Sequence, residues 1–293
     1  MKSSLILKIR LILEYFLVFI IYKILSIFPI FFVSLMGGLL FKIIGPFTKT
    51  QKIVKKNYLH IVPFASKKQI SQLTKLSWFN TGKTFFELLI LPKIIFSKDR
   101  IKIEGLNNIE EVIQKKEQVI FIGIHQSNWE ILLPTIDKLG IKVGGIYRHI
   151  NNPYINKLIL MIRKKCIISN QSFYTPKGKQ SAQDIIAGIK RGLSIVLLID
   201  QKDSAGDMVP FFNKLSKTQT GFLKLARKYN MKIIPVRNIR QKNNNFKLQF
   251  YPPMDKVAKE LSDIEAMKKI HFVVEKWITD NPSSWFLQHN RFS

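Results

Sequence analysis

The stretch Val119-Ile120-Phe121-Ile122-Gly123-Ile124-His125-Gln126-Ser127-Asn128-Trp129-Glu130 decides how this chain is read. A run of apolar β-formers stops at a histidine. A carboxylate follows five positions later, where a helical pattern begins. The run is long enough for a buried strand and too short for a helix of its own. Asn128 suits the N-cap of the next element, with Trp129 and Glu130 in its first turn. The segment therefore predicts a strand, a loop carrying His125, and a helix opening on Glu130. Active sites of α/β proteins commonly sit at such junctions.

On one ideal helix His125 and Glu130 would face different ways. They meet only if His125 lies in the loop and Glu130 in the first turn. Glu130 near a helix N-terminus is favoured as an anion. A carboxylate held against one imidazole nitrogen fixes the tautomer and leaves the other nitrogen as a base. The expected catalytic pair is thus His125 and Glu130. The competing reading is a surface histidine followed by a capping glutamate.

Outward from this segment, strands and helices alternate from residue 100 onward. Strands are predicted at 101–104, 119–124, 143–147, 195–199, 233–236 and 246–251. Helices are predicted at 131–139, 154–163, 182–190, 220–229 and 264–279. The alternation implies an α/β domain, a sheet covered by helices. Residues 51–98 read as helical and basic, with Ser66 capping a helix that runs through Gln69, Leu73 and Leu76. A second apolar face follows from Trp78 to Leu91. No internal repeat or low-complexity linker interrupts the chain.

The N-terminus differs. Residues 11–22 are aliphatic or aromatic apart from Glu14, and residues 24–41 carry no charge. Each run falls short of the roughly 20 residues that cross a bilayer. With Lys23 between them they form one tilted span or a membrane-embedded hairpin, bent by Pro29 and loosened by Gly37 and Gly38. The apolar region is too long for a cleaved signal, and no small-residue cleavage site is evident. Lys42, Lys49, Lys52, Lys55 and Lys56 follow it, which puts the bulk of the protein on the cytoplasmic side. Lys2, Lys8 and Arg10 at the other end pull against that orientation. The expected organisation is an anchor at 1–47 and a catalytic domain at 48–293. The domain divides into a basic helical part, 48–98, and an α/β core, 99–293.

The formal charge is +28, from 47 Lys and Arg against 19 Asp and Glu. Such an excess fits a polyanionic partner: an anionic bilayer, a phosphorylated substrate, an acidic carrier protein or nucleic acid. No zinc-spaced cluster, helix-turn-helix signal or RNA-recognition motif supports nucleic acid, and the cations are dispersed. One histidine and a glutamate at this spacing are weak evidence for a metal. Cys166 is the only cysteine. It rules out an intrachain disulfide, and its apolar neighbours Ile167 and Ile168 mark it as core.

These residues carry a resemblance. Histidine, four residues and an acid is the signature of the glycerolipid acyltransferases. The form His125-Gln126-Ser127-Asn128-Trp129-Glu130 resembles the late acyltransferases of lipid A biosynthesis, the Kdo-lipid IV-A lauroyl and myristoyl transferases. Further blocks follow in that family's order. They are Tyr147-Arg148-His149-Ile150-Asn151-Asn152-Pro153, Arg163, Asp200-Gln201, and Val209-Pro210-Phe211-Phe212 with Thr218, Leu225 and Ala226. The last is Pro282 through Trp285 with Leu287, His289, Arg291 and Phe292. Ser127 stands where many relatives have glycine, His149 where proline is usual, and Asn213 where glycine commonly follows the Phe pair.

The resemblance implies an acyltransferase-like sheet and an O-acyltransferase acting at the bacterial inner membrane. It implies acyl–acyl carrier protein as donor and a phosphorylated glycolipid, a lipid A precursor, as acceptor. No cofactor or metal is required when a hydroxyl attacks a thioester directly. His125 would accept the hydroxyl proton and Glu130 would orient the imidazole. Arg163 falls where that family has an essential arginine; a fixed positive charge there, or backbone N–H groups, would stabilise the oxyanion, and Arg163 is the candidate. The expected substrate contacts are Asn128, Arg148, Asp200, Gln201 and Phe211. Arg148 would meet a sugar phosphate or the carrier's phosphopantetheine. Asp200 would align Arg163 or a substrate hydroxyl. Phe211 would line the acyl channel, although core packing is the commoner use of such a residue. Acyltransferases of lysophospholipids or mannosylated phosphatidylinositol share this chemistry. A membrane-tethered nucleic-acid-binding protein is the alternative outside enzymes.

Overall fold

The computed structural model describes residues 2–292. Met1 and Ser293, the outer limits of the two expected segments, lie outside it. Five helices come first: α1 (Lys2–Leu25), α2 (Ile30–Ile44), α3 (Gln51–Ile61), α4 (Lys67–Leu89) and α5 (Leu91–Phe96). The α/β part follows as β1 (Ile101–Glu104), α6 (Glu110–Lys115), β2 (Val119–Gly123), α7 (Leu132–Lys138), β3 (Val143–Tyr147) and α8 (Pro153–Lys164). It continues with β4 (Phe173–Pro176), α9 (Lys179–Lys190), β5 (Ser194–Leu198), β6 (Lys202–Phe211), β7 (Lys214–Thr218) and α10 (Gly221–Lys228). The chain closes with β8 (Lys232–Arg240), β9 (Phe246–Phe250), α11 (Asp255–Glu260) and α12 (Asp263–Asp280).

The sheet has seven strands in the order β1-β9-β8-β2-β5-β3-β4. From β8 to β4 all neighbours pair in parallel; β9 is antiparallel to β8 and parallel to β1. Central strand β2 is buried at every position, as a strand covered by helices on both faces must be. Phe121, Ile122 and their neighbours on β5 and β8 form the core between the helical layers. Each such large side chain contributes about 1.5–3 kcal/mol by leaving water. β6 and β7 form a separate hairpin.

The strands expected at 101–104 and 143–147 occur as read, those at 119–124 and 246–251 end one residue early, and that at 195–199 is shifted one residue toward the N-terminus. β8 runs longer than expected, and β4, β6 and β7 were not predicted. The two apolar faces expected between 66 and 91 belong to one helix, α4, which Ser66 and Gln69 open with a reciprocal capping box.

α1 and α2 are separate helices joined by a turn through Pro29. Residues 30–47 are long and apolar enough to cross a membrane, judged by length and composition. One face of α2 packs along α4, where Gly37 and Gly82 bring the two backbones so close that a Cβ on either would strike the other's carbonyl oxygen. The other face leaves Phe31, Phe32, Met36, Leu39, Leu40 and Ile43 exposed. α1 meets the α/β part at Asn152, whose amide donates to the Leu11 carbonyl (2.8 Å) and the Glu14 carboxylate (3.1 Å).

Candidate active site

Sheet register assembles the centre of the site. β2 and β5 pair in parallel with Ile120 opposite Ile195 and Gly123 opposite Leu198. Two residues beyond each strand, the same offset brings His125 opposite Asp200. His125 Nδ1 lies 2.8 Å from an Asp200 carboxylate oxygen, which also accepts the His125 backbone N–H at 3.1 Å. The other oxygen of Asp200 accepts from the Trp285 indole at 2.6 Å. Burial alone would raise the Asp200 pKa, but the His125 charge and these hydrogen bonds outweigh it and hold the carboxyl below its ordinary value. An ionised Asp200 binds Nδ1–H, so the His125 tautomer leaves Nε2 free as a base. The ring lies at the edge of a cavity of about 440 Å3.

The expected His125–Glu130 pair is therefore corrected. Both oxygens of Glu130 are taken by Arg163, with Nε and Nη2 each donating at 2.7 Å. This bidentate pair is nearly closed to solvent, with side chains 11% and 9% exposed. Burial works to lower the Arg163 pKa, and the Glu130 charge overrides it and raises it. Glu130 sits where it was expected, in the first turn of a short 3-10 segment, Trp129–Ile131, capped by the Asn128 side chain. The turn aims its carboxylate at α8, away from the imidazole. Arg163 Nη1 is buried without a hydrogen-bond partner, and Nε with one N–H of Nη2 is spent on Glu130, so the expected oxyanion role meets a guanidinium already committed to an ion pair.

Asn128 is fully buried. Its amide donates to Glu87 and its side-chain oxygen accepts the Glu130 N–H, so it holds the loop and does not face substrate. Phe211 is also fully buried, packed against Phe212, His271, Trp285 and Phe292, and belongs to the core. Asp200 aligns His125, in place of the expected Arg163 or substrate hydroxyl. Arg148, His149 and Gln201 do line the cavity with His125, Glu130 and Arg163. Cys166 is core: burial pushes its thiol up to about 12.

Compared with known protein families, residues 2–293 match the family described as bacterial lipid A biosynthesis acyltransferase. The chain belongs to that family. Among solved structures it is similar to the 1-acyl-sn-glycerophosphate acyltransferase of Thermotoga maritima. That match has 17% identity and covers 86% of this chain and 98% of that one, and its TM-score of 0.37 is too low to carry an argument. No curated protein matches significantly.

Two of this acyltransferase's departures from the family pattern have a backbone reason. Ser127 adopts φ 56°, and Phe212 and Asn213 at the tip of the β6–β7 hairpin adopt φ 48° and 56°. These are left-handed conformations that glycine enters without cost and asparagine tolerates. Ser127 is held there by neighbours: its Oγ accepts the Arg240 N–H at 3.1 Å and its carbonyl accepts from Thr84 at 2.6 Å.

Sequence reading missed several residues that build the acyltransferase site. Trp285 was read only as part of a C-terminal block. Glu87, fully buried, accepts from Asn128, Ser34 and Arg240. A signal for it existed, since no other acid lies between Glu14 and Asp99. A carboxylate retained alone in such a basic, apolar stretch needs a reason.

Proposed function

We propose that this enzyme transfers a fatty acyl chain from acyl–acyl carrier protein to a hydroxyl of a phosphorylated lipid A precursor, Kdo-lipid IV-A. The observation that carries the reading is the His125–Asp200 contact at the edge of the large cavity, in a chain that matches the acyltransferase family from end to end. His125 Nε2 takes the proton of the attacking hydroxyl as its oxygen bonds to the thioester carbonyl carbon. Asp200 holds the ring and stabilises the imidazolium. When the tetrahedral intermediate collapses, the C–S bond breaks and His125 returns the proton to the leaving thiolate. The products are an ester and the free thiol of the carrier. No acyl-enzyme forms.

Arg163 and Glu130 neutralise each other and lock α8 against the catalytic loop, so their part is to set the cavity wall. Arg148 at the rim is suited to a phosphate of the acceptor or of the donor's prosthetic arm. The apolar helix over 30–47 and the exposed faces of α1 and α2 support seating in the inner membrane. The lysines after α2 support a cytoplasmic catalytic domain and attraction to an anionic leaflet.

The test is transfer of labelled acyl chain from acyl–acyl carrier protein to Kdo-lipid IV-A in detergent, with wild type, His125→Ala and Asp200→Asn. Transfer by the wild type that collapses in both folded variants supports the reaction and the dyad. An inactive wild type moves the acceptor to lysophospholipids or other glycolipids. Full activity in His125→Ala overturns the mechanism.

A further inference from the structure

The reaction needs a donor for the negative charge that develops on the thioester oxygen, and Arg163 is committed to Glu130. Its Nε and one N–H of Nη2 bind Glu130, and its Nη1 is buried without a partner. A different group meets the requirement. His289 lies in the C-terminal segment that Asn57 pins by donating to the carbonyls of Leu287 and His289, each at 2.8 Å. Its ring lines the same cavity as His125. Its Nε2 accepts the backbone N–H of Lys202 at 3.0 Å.

An accepting nitrogen carries no proton, so the neutral ring must hold its proton on Nδ1. Nδ1 makes no hydrogen bond among the described residues and is not one of the enclosed unpaired atoms. It is therefore an open donor on a ring that lines the cavity. Burial first, and the positive neighbours second, lower the His289 pKa against the pull of Asp200, which keeps the ring neutral. Protonation would also set Nε2–H against the Lys202 N–H.

We propose that the Nδ1–H of His289 is the oxyanion donor of this enzyme, hydrogen-bonding the thioester carbonyl oxygen as it becomes negative. The assignment rests on the acyl-transfer reading above. The proton stays on His289 throughout. The carbonyl π pair moves to oxygen when the hydroxyl attacks and returns as the C–S bond breaks. A neutral imidazole fits this task because it can polarise a carbonyl without surrendering its proton. His125 and His289 thus divide the work. Asp200 fixes one ring as acceptor toward the cavity, and the Lys202 amide fixes the other as donor.

Two isosteric substitutions separate catalysis from bracing. The carboxamide of His289→Asn sits where Nδ1 was and keeps a donor there, but it does not reach Lys202. The carboxamide of His289→Gln reaches Lys202 and leaves the Nδ1 position empty. Expected is a kcat for His289→Asn within about 10-fold of wild type and a loss of about 10²–10³-fold for His289→Gln, with KM little changed. The reverse order shows a brace and overturns the proposal, as do equal losses or wild-type rates in both.

If neither variant folds, the wild-type tautomer decides, read from nitrogen-15 shifts of the histidines in detergent micelles. Protonated Nδ1 supports the assignment and protonated Nε2 overturns it. Hydrolysis of the acyl thioester without acceptor is measured in parallel. A wild type that hydrolyses but does not transfer to the glycolipid, with the same ranking of variants, overturns the acceptor and keeps His289. A wild type that does neither overturns both.

Discussion

His125 and Glu130 stand five residues apart, yet they belong to two charge pairs that the fold uses differently. The His125–Asp200 pair is half open: the imidazole side chain is 17% exposed and its carboxylate partner 1%. One ring nitrogen is anchored in the interior and the other meets the cavity. The Glu130–Arg163 pair is turned on itself: both carboxylate oxygens are taken, and Arg163 Nη1, left without a partner, is buried. A pair that does chemistry needs an unspent valence. A pair that holds a wall in place needs none that the substrate can use.

The comparison breaks most sharply at Asp200. Asp200→Asn keeps the volume but loses the anion that selects the His125 tautomer. It should lower kcat by about 10²–10⁴-fold while KM for the acyl donor stays within a few-fold. Glu130→Gln, assayed beside it, should show the opposite profile, with a smaller loss of kcat in the protein that remains folded. If Glu130→Gln is the more damaging to kcat in folded enzyme, the division between the two pairs is wrong.

The second effect is on stability. Glu130→Ala leaves Arg163 buried and uncompensated, a loss of about 3–5 kcal/mol. Replacing both partners, Glu130→Ala with Arg163→Met, should recover a large part of it. Thermal unfolding in detergent measures the cycle, and additive losses would show that the pair is not coupled.

Acid sharpens the contrast on the Asp200 side. Its folded pKa is held below the usual carboxylate value of about 3.9, so within that window the unfolded chain binds the proton more readily. The contribution is complete above about pH 3.9 and is lost as pH falls through the lowered folded value. The slope of Tm against pH below about 4 should therefore be shallower in Asp200→Asn than in wild type. An unchanged slope would remove Asp200 from the acid response.

The smallest effect is expected at Ser127, between the two pairs. Ser127→Gly relieves a left-handed conformation costing roughly 1–2 kcal/mol. It also loses the Oγ bond to the Arg240 amide, worth roughly 0.5–1.5 kcal/mol, and adds backbone freedom worth roughly 0.5–1 kcal/mol. The terms nearly cancel, so stability should change by less than about 1 kcal/mol with activity retained. A large change in either direction would mean that the loop conformation depends on something other than these terms.

Where these elements were legible in the sequence, local pattern sufficed. β2, β3 and β5 announce themselves as short apolar runs, and the Asn128 cap lies where the change of period requires it. β4 ends on a proline at the sheet edge, and β6 is broken by Ser204-Ala205-Gly206-Asp207, so neither carries a strand-like run. His125 was legible as the candidate base. Its partner was not, because nearness along the chain favoured Glu130. Asp200 lies 75 residues away, and only the parallel pairing of β2 with β5 brings it opposite. The imidazole partner is thus written in the order of strands. That order depends on how the helices pack, which no local run of residues records.

Glu87 extends this to the rest of the molecule. Its carboxylate joins Ser34 of α2 to Asn128 of the catalytic loop and to Arg240 of β8, with no water-exposed edge. Trimming the chain before α3 to obtain a soluble enzyme would uncover that carboxylate and the glycine-lined groove along α4 together. For this enzyme the greasy N-terminal helices serve as a keystone, and a soluble form is better sought by repainting their outer face than by cutting them away.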